Sequence, residues 1–311
     1  MTAAVCGAVL AVIIFAVTAP GLGRRLPPAL ATRLLVPTTL VMAVATVLVL
    51  GLLASVWLGQ LPLVAEVGAW SVSRLDAYDP VPDPLGAISL VLLAVALVRV
   101  LLKVLHRVRC LVVVYRTYHR QQSAGSVIVI DSDRVDAFAT PAPGGRVVVT
   151  SALLRALGPT ERRAVLAHEH SHLAHRHVWW ALTADLAAAV NPLLRPTATA
   201  VGHAIERWAD EDAATVLGDR HLVARTIARA ALLRHDARSD ALLPAATGAD
   251  VPQRVRALLG PPPRRRPLAF AALAVLLVAG TFATVAVERS GDQLFDHALL
   301  RPAHSSHHHV G

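Results

Sequence analysis

The stretch AHEHSHLAHRH, residues 167–177, places five histidines among eleven residues and contains the pattern His-Glu-x-x-His. His168 and His172 are four positions apart, so their side chains lie on the same face of an α-helix. Two imidazoles in that arrangement can bind one zinc ion at about 2.0–2.1 Å. Glu169 lies between them and can act as general base on water at the ion. The pattern therefore predicts a hydrolytic site with one Zn²⁺ per chain.

A catalytic zinc site of this kind needs a third protein ligand and an open fourth position. A histidine ten positions after the first would complete one known arrangement, but that position holds Val178. The other arrangement uses a glutamate on a later helix, and ERWADEDAA supplies one at Glu206. Asp210, one turn further, can orient a ligand histidine. Glu211 is a rival ligand, although it projects roughly 140° around the helix from Glu206. A solvated acidic helix face without metal is the alternative interpretation.

The composition indicates that these residues belong to a membrane protein. The 311-residue chain is 55% hydrophobic and 16% charged, with a mean hydropathy of +0.54, whereas soluble domains carry about 25% charged residues. The net charge is +9, but the basic residues cluster at the ends of apolar runs, so direct nucleic-acid binding is not expected. The runs long enough to cross a bilayer are residues 1–18, 34–58, 85–105 and 267–287.

The charges between these runs predict an orientation. Residues 19–33 and 99–120 contain basic residues and no acidic ones, whereas residues 59–84 contain four acidic residues and one arginine. Arg264 to Arg266 precede the fourth run. With four crossings, every basic cluster lies on the same side of the membrane. The positive-inside rule then places both termini outside the cell membrane and the central segment in the cytoplasm.

The fold class that follows is a multi-pass α-helical membrane protein with a cytoplasmic α+β zincin domain. The predicted segments are three membrane helices within residues 1–110, a metallopeptidase domain over 111–262, a fourth membrane helix with its basic stop over 263–290, and a short polar tail over 291–311. The predicted elements of the domain are strands at 126–130 and 145–150, joined by the turn-rich DAFATPAPGG, and helices over about 160–180, 178–190 and 197–217. Thr160 is the candidate cap of the first helix.

The run VVVTSALLRALGPTERRAVLAHEHSHLAHRH resembles the membrane-embedded gluzincin peptidases of the HtpX and BlaR/MecR kinds. AVNPLL followed by ERWAD is closer to the BlaR/MecR branch, which also has Asn-Pro between the zinc helix and the glutamate helix. HtpX-type chains usually insert two membrane helices in that gap, for which this chain has no room. The resemblance extends over about residues 1–290, with its specific motifs in 136–214.

The resemblance implies that His168, His172 and Glu206 bind zinc, that Glu169 is the base and that Asp210 supports the site. His177 matches a position that supports the ligands or the structure around them. An extended segment is also implied to pair with the substrate backbone as an added strand; without the resemblance it is simply a core strand. Its residues are Arg146, Val147, Val148, Val149 and Thr150.

The remaining histidines and basic residues near the site receive no firm role. His170 and His175 are expected to be exposed. The residue that stabilises the oxyanion is not assigned, and His203, His221 and Arg225 are equally good candidates by position.

The function that these patterns favour is an integral-membrane zinc endopeptidase that cleaves protein or peptide substrates at the cytoplasmic face, by regulated proteolysis of a BlaI-type repressor. The alternatives are an HtpX-like quality-control protease and a non-catalytic membrane sensor of metal or pH. Glu169 favours an enzyme, because a site that only binds metal does not need it. In the BlaR/MecR resemblance a penicillin-binding sensor follows the fourth membrane helix. Residues 288–311 contain no Ser-x-x-Lys motif, so we expect no β-lactam binding.

Overall fold

The computed structural model describes residues 1–68, 70, 72, 82–118, 125–140, 145–236, 250–264 and 266–298. Within these residues the chain is mostly helical, and a small sheet lies between the third long helix and the histidine-rich helix. In chain order the elements are α1 (Thr2–Arg24), α2 (Pro28–Gly59), α3 (Pro62–Gly68), α4 (Asp83–Tyr118), β1 (Val127–Ile130), β2 (Ala137–Thr140), β3 (Arg146–Thr150), α5 (Ser151–Ala156), α6 (Pro159–Ala174), α7 (His177–Val190), a 3-10 turn (Pro192–Leu194), α8 (Arg195–Leu217), α9 (Arg220–Asp236), α10 (Val251–Leu259) and α11 (Pro267–Ala298).

Four of the described helices, α1, α2, α4 and α11, are long and apolar enough to cross a membrane. They contain the four predicted apolar runs, so the chain is a membrane protein with four candidate spanning helices. All four are longer than the predicted runs, and α4 and α11 extend furthest beyond them. Helix α4 continues to Tyr118 because residues 106–118 contain no glycine or proline, so the predicted boundary at residue 110 lies inside a helix. Helix α11 continues to Ala298 and takes up the first part of the predicted polar tail; residues 299–311 lie outside the described residues.

The sheet has the strand order β1-β3-β2, with β1 parallel and β2 antiparallel to β3. Strand β2 corrects the sequence prediction, which treated DAFATPAPGG as a turn. The four residues AFAT carry little strand signal of their own, and their pairing with β3 makes them a strand. The structure also contradicts the predicted role of Arg146–Thr150. Because β3 has a neighbour on both sides, it has no free edge to which a substrate strand could be added.

The histidine-rich helix ends earlier than predicted. Helix α6 stops at Ala174, and Arg176 adopts a left-handed conformation with φ 53° that separates it from α7. The start also differs, since the N-cap is Gly158 and not Thr160. Pro159 occupies the first turn, and the Glu161 carboxylate accepts a hydrogen bond of 2.8 Å from the Gly158 N–H.

The apolar core of the membrane helices continues into α7 and α8. Phe15 of α1 and Met42 of α2 belong to the same buried cluster as Ala184 of α7 and Val201 of α8. The Asn191 side-chain amide donates a hydrogen bond of 3.0 Å to the Thr46 hydroxyl of α2. The predicted core or interfacial helix is therefore confirmed as α7, and it packs directly against membrane helix α2.

Candidate metal centre

Helices α6 and α8 pack closely and bring the predicted ligands together. Their contact is built from small side chains, which allow two helices to approach: Ala164, Ala167, Ala213 and Ala214. As a result, ligand atoms of His168, His172 and Glu206 all lie within 4.8 Å of one another. The three side chains are partly buried, with 14%, 18% and 36% of their surface exposed. Residues that are 38 positions apart in sequence thus meet at one point.

The distances among these atoms fit a zinc ion. The Nε2 atoms of His168 and His172 are 3.2 Å apart. The Glu206 carboxylate oxygens lie 3.5 Å from Nε2 of His168 and 3.7 Å from Nε2 of His172. Tetrahedral ligands at about 2.0–2.1 Å from zinc are separated by roughly 3.4 Å. The nitrogen and oxygen donors are also the types that zinc prefers, so the residues present fit the metal.

The second nitrogen of His168 faces a buried carboxylate. Its Nδ1 lies 3.0 Å from Oδ1 of Asp210, whose side chain is 2% exposed. A carboxylate in this position fixes the ring so that Nε2 points toward the metal. Burial lowers the pKa of His168, but the carboxylates of Asp210 and Glu206 raise it more strongly, to about 9. The environment of His168 therefore favours positive charge at this ring, which a bound cation would supply in place of the proton.

His172 is supported from its other side by His177. The two Nδ1 atoms are 3.0 Å apart, and His177 is 1% exposed. Burial, together with the charge of His168, lowers the pKa of His172 to about 4, so the ring is neutral, as a metal ligand must be. The predicted supporting position of His177 is thus matched by a direct contact. His177 also packs on Trp208, and the guanidinium of Arg33 in α2 lies 5.0 Å from the centre of that indole ring.

Arg254, on helix α10, is a site residue that was not predicted from the sequence. Its Nε and Nη2 atoms donate hydrogen bonds of 2.8 and 2.6 Å to the two oxygens of Asp210. Its Nη1 atom lies 2.9 Å from Oε2 of Glu206. Burial raises the pKa of the Glu206 carboxyl, but the hydrogen bond with His168 and the charge of Arg254 outweigh it and hold that pKa well below its usual range. No local motif marks Arg254, because its partners are on another helix.

Glu169 lies beside the three ligands and at the edge of the sheet. Burial raises the pKa of Glu169, the charge of His168 lowers it, and the net value is about 7. The backbone of Ala139, in β2, lies close enough to this carboxyl group to lower its pKa slightly. A carboxyl group with a pKa near neutrality can both accept and release a proton at physiological pH. Its position and acidity therefore match those of a general base.

The other acidic and histidine candidates are separated from the ligand cluster. Glu211, the rival ligand, pairs with Arg220 instead. His170 and His175 were predicted to be exposed, and this is wrong, because both are partly buried and hydrogen-bonded. His170 bonds with the Leu166 carbonyl and the Ser126 hydroxyl, and His175 lies 2.9 Å from Asp212.

Among the three candidates for stabilising the oxyanion, one lies on the same helix as a predicted ligand. His203 is on α8, one turn before Glu206, and its Nδ1 lies 2.8 Å from Asp250. His221 is exposed at the start of α9. Arg225 is exposed, and its charge acts on Glu161 at the opposite end of α6. Only His203, of these three, shares a helix face with a predicted ligand.

A His-His-Glu cluster on two helices beside a small sheet, joined to membrane-spanning helices, defines a membrane-embedded zincin-type peptidase. Comparison with known proteins agrees with this class. Residues 104–262, just over half of the chain, match the model of Peptidase family M48, and the chain belongs to this family. Family M48 is a family of zinc-dependent peptidases.

Two curated relatives carry the name Protease HtpX homolog. The one from Thermoplasma acidophilum is 45% identical over 49 residues, which are 16% of this chain and 16% of the relative. The one from Aeropyrum pernix is 34% identical over 151 residues, which are 42% of this chain and 45% of the relative. The matched regions thus span less than half of either relative. No solved structure matches the chain significantly.

Replacement of His172 or Glu206 by alanine is expected to abolish stoichiometric zinc binding, because two ligands remain where three are needed. Zinc content after gel filtration in detergent measures this. His170→Ala is the matched control on the same helix, and it should retain the metal because His170 bonds with Ser126 and Leu166. Full zinc content in Glu206→Ala would show that another residue is the third ligand.

Proposed function

We propose that this protein is an integral-membrane zinc-dependent endopeptidase of the HtpX kind, which cleaves polypeptide chains beside the membrane. The single observation that supports this best is the separation of 3.2–3.7 Å among the donor atoms of His168, His172 and Glu206. The packing of α7 and α8 on membrane helices supports a site near the bilayer surface. The names of the two relatives support the HtpX kind over a repressor-cleaving peptidase.

In this proposal the chain's own residues perform the proton transfers. Bound Zn²⁺ would supply Lewis-acid chemistry that polarises the peptide carbonyl and lowers the pKa of water. Glu169 accepts the proton of the attacking water and delivers it to the nitrogen of the leaving amine. Asp210 and His177 hold the ligand rings in place. His203 is our candidate for stabilising the oxyanion, because it shares a face of α8 with Glu206.

Strand β2 is the proposed docking edge for the substrate backbone, in place of β3. The Thr150 N–H donates a hydrogen bond of 3.1 Å to the Asp136 carbonyl. In antiparallel pairs the hydrogen-bonded positions alternate, so Phe138 is bonded toward β3 and Ala139 directs its N–H and C=O away from it. Among the described residues no strand pairs with β2 on that side, which we call its free edge. Helix α6, which carries Glu169, packs against β2, so this edge lies near the proposed base. A substrate strand added to β2 would therefore pass the base and the metal.

Cleavage of a BlaI-type repressor is the second candidate function. The observation that favours it is the connection between α7 and α8, which is only the 3-10 turn Pro192–Leu194. The BlaR/MecR branch has the same Asn-Pro sequence there, without inserted membrane helices. In this second proposal, the active site and the chemistry are the same and only the substrate differs.

Cleavage assays on the purified full chain in detergent micelles distinguish these proposals. We expect zinc-loaded protein to degrade unfolded β-casein at several positions, a chelator to stop this, and added zinc to restore it. Cleavage of a BlaI-type repressor at one site, with casein left intact, would favour the second candidate. If zinc-loaded protein cleaves neither substrate, the non-catalytic sensing role replaces both.

The proposed orientation makes a separate prediction. A reporter fused after residue 150, in a truncation that keeps α1, α2 and α4, should behave as cytoplasmic, and one fused after residue 290 should behave as external. The reason is that the basic residues cluster on one side of the four helices. Paired fusions of a fluorescent protein and a phosphatase that is active only outside the cytoplasm measure both positions. A cytoplasmic signal from the second fusion would show that the predicted orientation or the predicted number of crossings is wrong.

A further inference from the structure

Three basic residues of α4 form a line along one helix face. Arg99, Lys103 and Arg107 are spaced by four positions, and we call this set the basic ladder. All three reach α7. Arg99 Nη2 donates to the Ala188 carbonyl at 3.3 Å, and Lys103 Nζ donates to the Asp185 carbonyl at 3.3 Å. Arg107 Nη2 donates to Oδ2 of Asp185 at 2.7 Å. The basic ladder therefore faces α7.

The ladder carries more positive charge than its partner neutralises. In the described part of the chain Lys103 and Arg107 both pair with the Asp185 carboxylate, whereas Arg99 bonds with the Ala188 carbonyl, so one carboxylate serves two cations and a third lies beside them. Lys103 and Arg107 keep 45% and 51% of their side-chain surface exposed, and Asp185 keeps 32%. An ammonium has three donors and a guanidinium five. The exposed side chains therefore retain donors for an additional anion.

The ladder lies where the uncharged part of a membrane helix ends. Residues 85–98 of α4 contain no charged side chain. Apolar side chains on the ladder's own helix face are exposed in this run, with 53%, 48% and 47% of their surface accessible at Ile88, Leu92 and Val95. In a membrane-spanning helix, exposed apolar side chains face acyl chains and basic residues near the helix end reach the headgroups. The site thus offers cations for a phosphate directly above apolar contacts for its acyl chains.

We propose that the basic ladder, together with Asp185, forms a binding site for the headgroup of an anionic phospholipid. Lys103 and Arg107 contact the lipid phosphate, and Ile88, Leu92 and Val95 contact the acyl chains. Asp185 holds the two cations in place and competes with the phosphate for them. The charge surplus selects anionic over zwitterionic lipid. The exposed apolar side chains on the same helix face favour a membrane lipid over a free phosphate ion.

Native mass spectrometry of the full chain from mixed micelles tests the site. It measures how much phosphatidylglycerol the protein retains relative to phosphatidylcholine. Lys103→Gln with Arg107→Gln should reduce preferential retention by about 25-fold, from about fivefold for each of the two charges removed. The matched control is Arg24→Gln with Arg25→Gln, an exposed basic pair at the end of α1, which should keep at least half of the preference. Equal losses in both double variants would overturn the site and leave only a general attraction to basic helix ends.

Asp185→Asn is the decisive second variant, and it decides the question even if the double variant does not fold. Removal of the competing carboxylate should increase phosphatidylglycerol retention about fivefold, since one negative charge is lost beside the phosphate. Unchanged or weaker retention would overturn the proposal. Inorganic phosphate at millimolar concentration should not displace the lipid, and displacement would show a free-anion site instead. Zinc content and circular dichroism of each variant report whether the fold is intact.

Discussion

Glu169→Gln is expected to lower the rate of peptide cleavage by about 10²–10⁴-fold and to leave zinc bound. The amide has nearly the shape of the carboxylate, but it cannot accept the proton of the attacking water. The three ligands are unchanged, because His168, His172 and Glu206 hold the metal without Glu169. Zinc content and initial rates on the same preparation measure the two effects.

Glu66→Gln is the control for this experiment, since Glu66 is an exposed carboxylate on α3, outside the ligand cluster. It should retain both zinc and activity. A Glu169→Gln protein with full activity would exclude Glu169 as the base. Loss of zinc together with activity would instead place Glu169 among the groups that hold the metal.

Arg254→Gln is expected to destabilise the protein by about 3–5 kcal/mol, because it removes one partner from a buried ion pair. Asp210 is 1% exposed, and both of its oxygens accept hydrogen bonds from Arg254. Glutamine cannot replace this bidentate arrangement or its charge, so a buried carboxylate loses its main partner. Unfolding by denaturant in micelles, with zinc removed, measures the change in free energy.

Two further variants define the cause of this loss. Arg256→Gln, on the same helix but exposed, should change the free energy of unfolding by no more than about 0.5 kcal/mol. Arg254→Lys should be intermediate, since lysine keeps the charge but lacks the planar pair of donors. If Arg254→Gln is as stable as the original protein, the contacts of Arg254 with Asp210 and Glu206 contribute little, and the pair has no structural role.

Local patterns determined the parts of the site that lie within one helix. His168, Glu169 and His172 are arranged by the helical period alone, and the same period puts Glu206 and Asp210 on one face of α8. The four apolar runs likewise predicted the membrane helices, because the cost of unpaired backbone in a bilayer leaves few alternatives to a helix. These features depend on neighbours in the sequence, and a pattern is sufficient to predict them.

The tertiary structure decided everything that depends on partners distant in the chain. Arg254 reaches Asp210 from 44 positions away, and no spacing rule connects them. The predicted pairing of β3 with substrate was wrong for the same reason. Its pattern predicts a strand, but only the pairing with β2 on one side and β1 on the other shows that its edges are occupied. Hydrogen-bond partners across a sheet and ion pairs between helices are selected by packing, so only the folded chain could assign the free edge to β2 and the buried cation to Arg254.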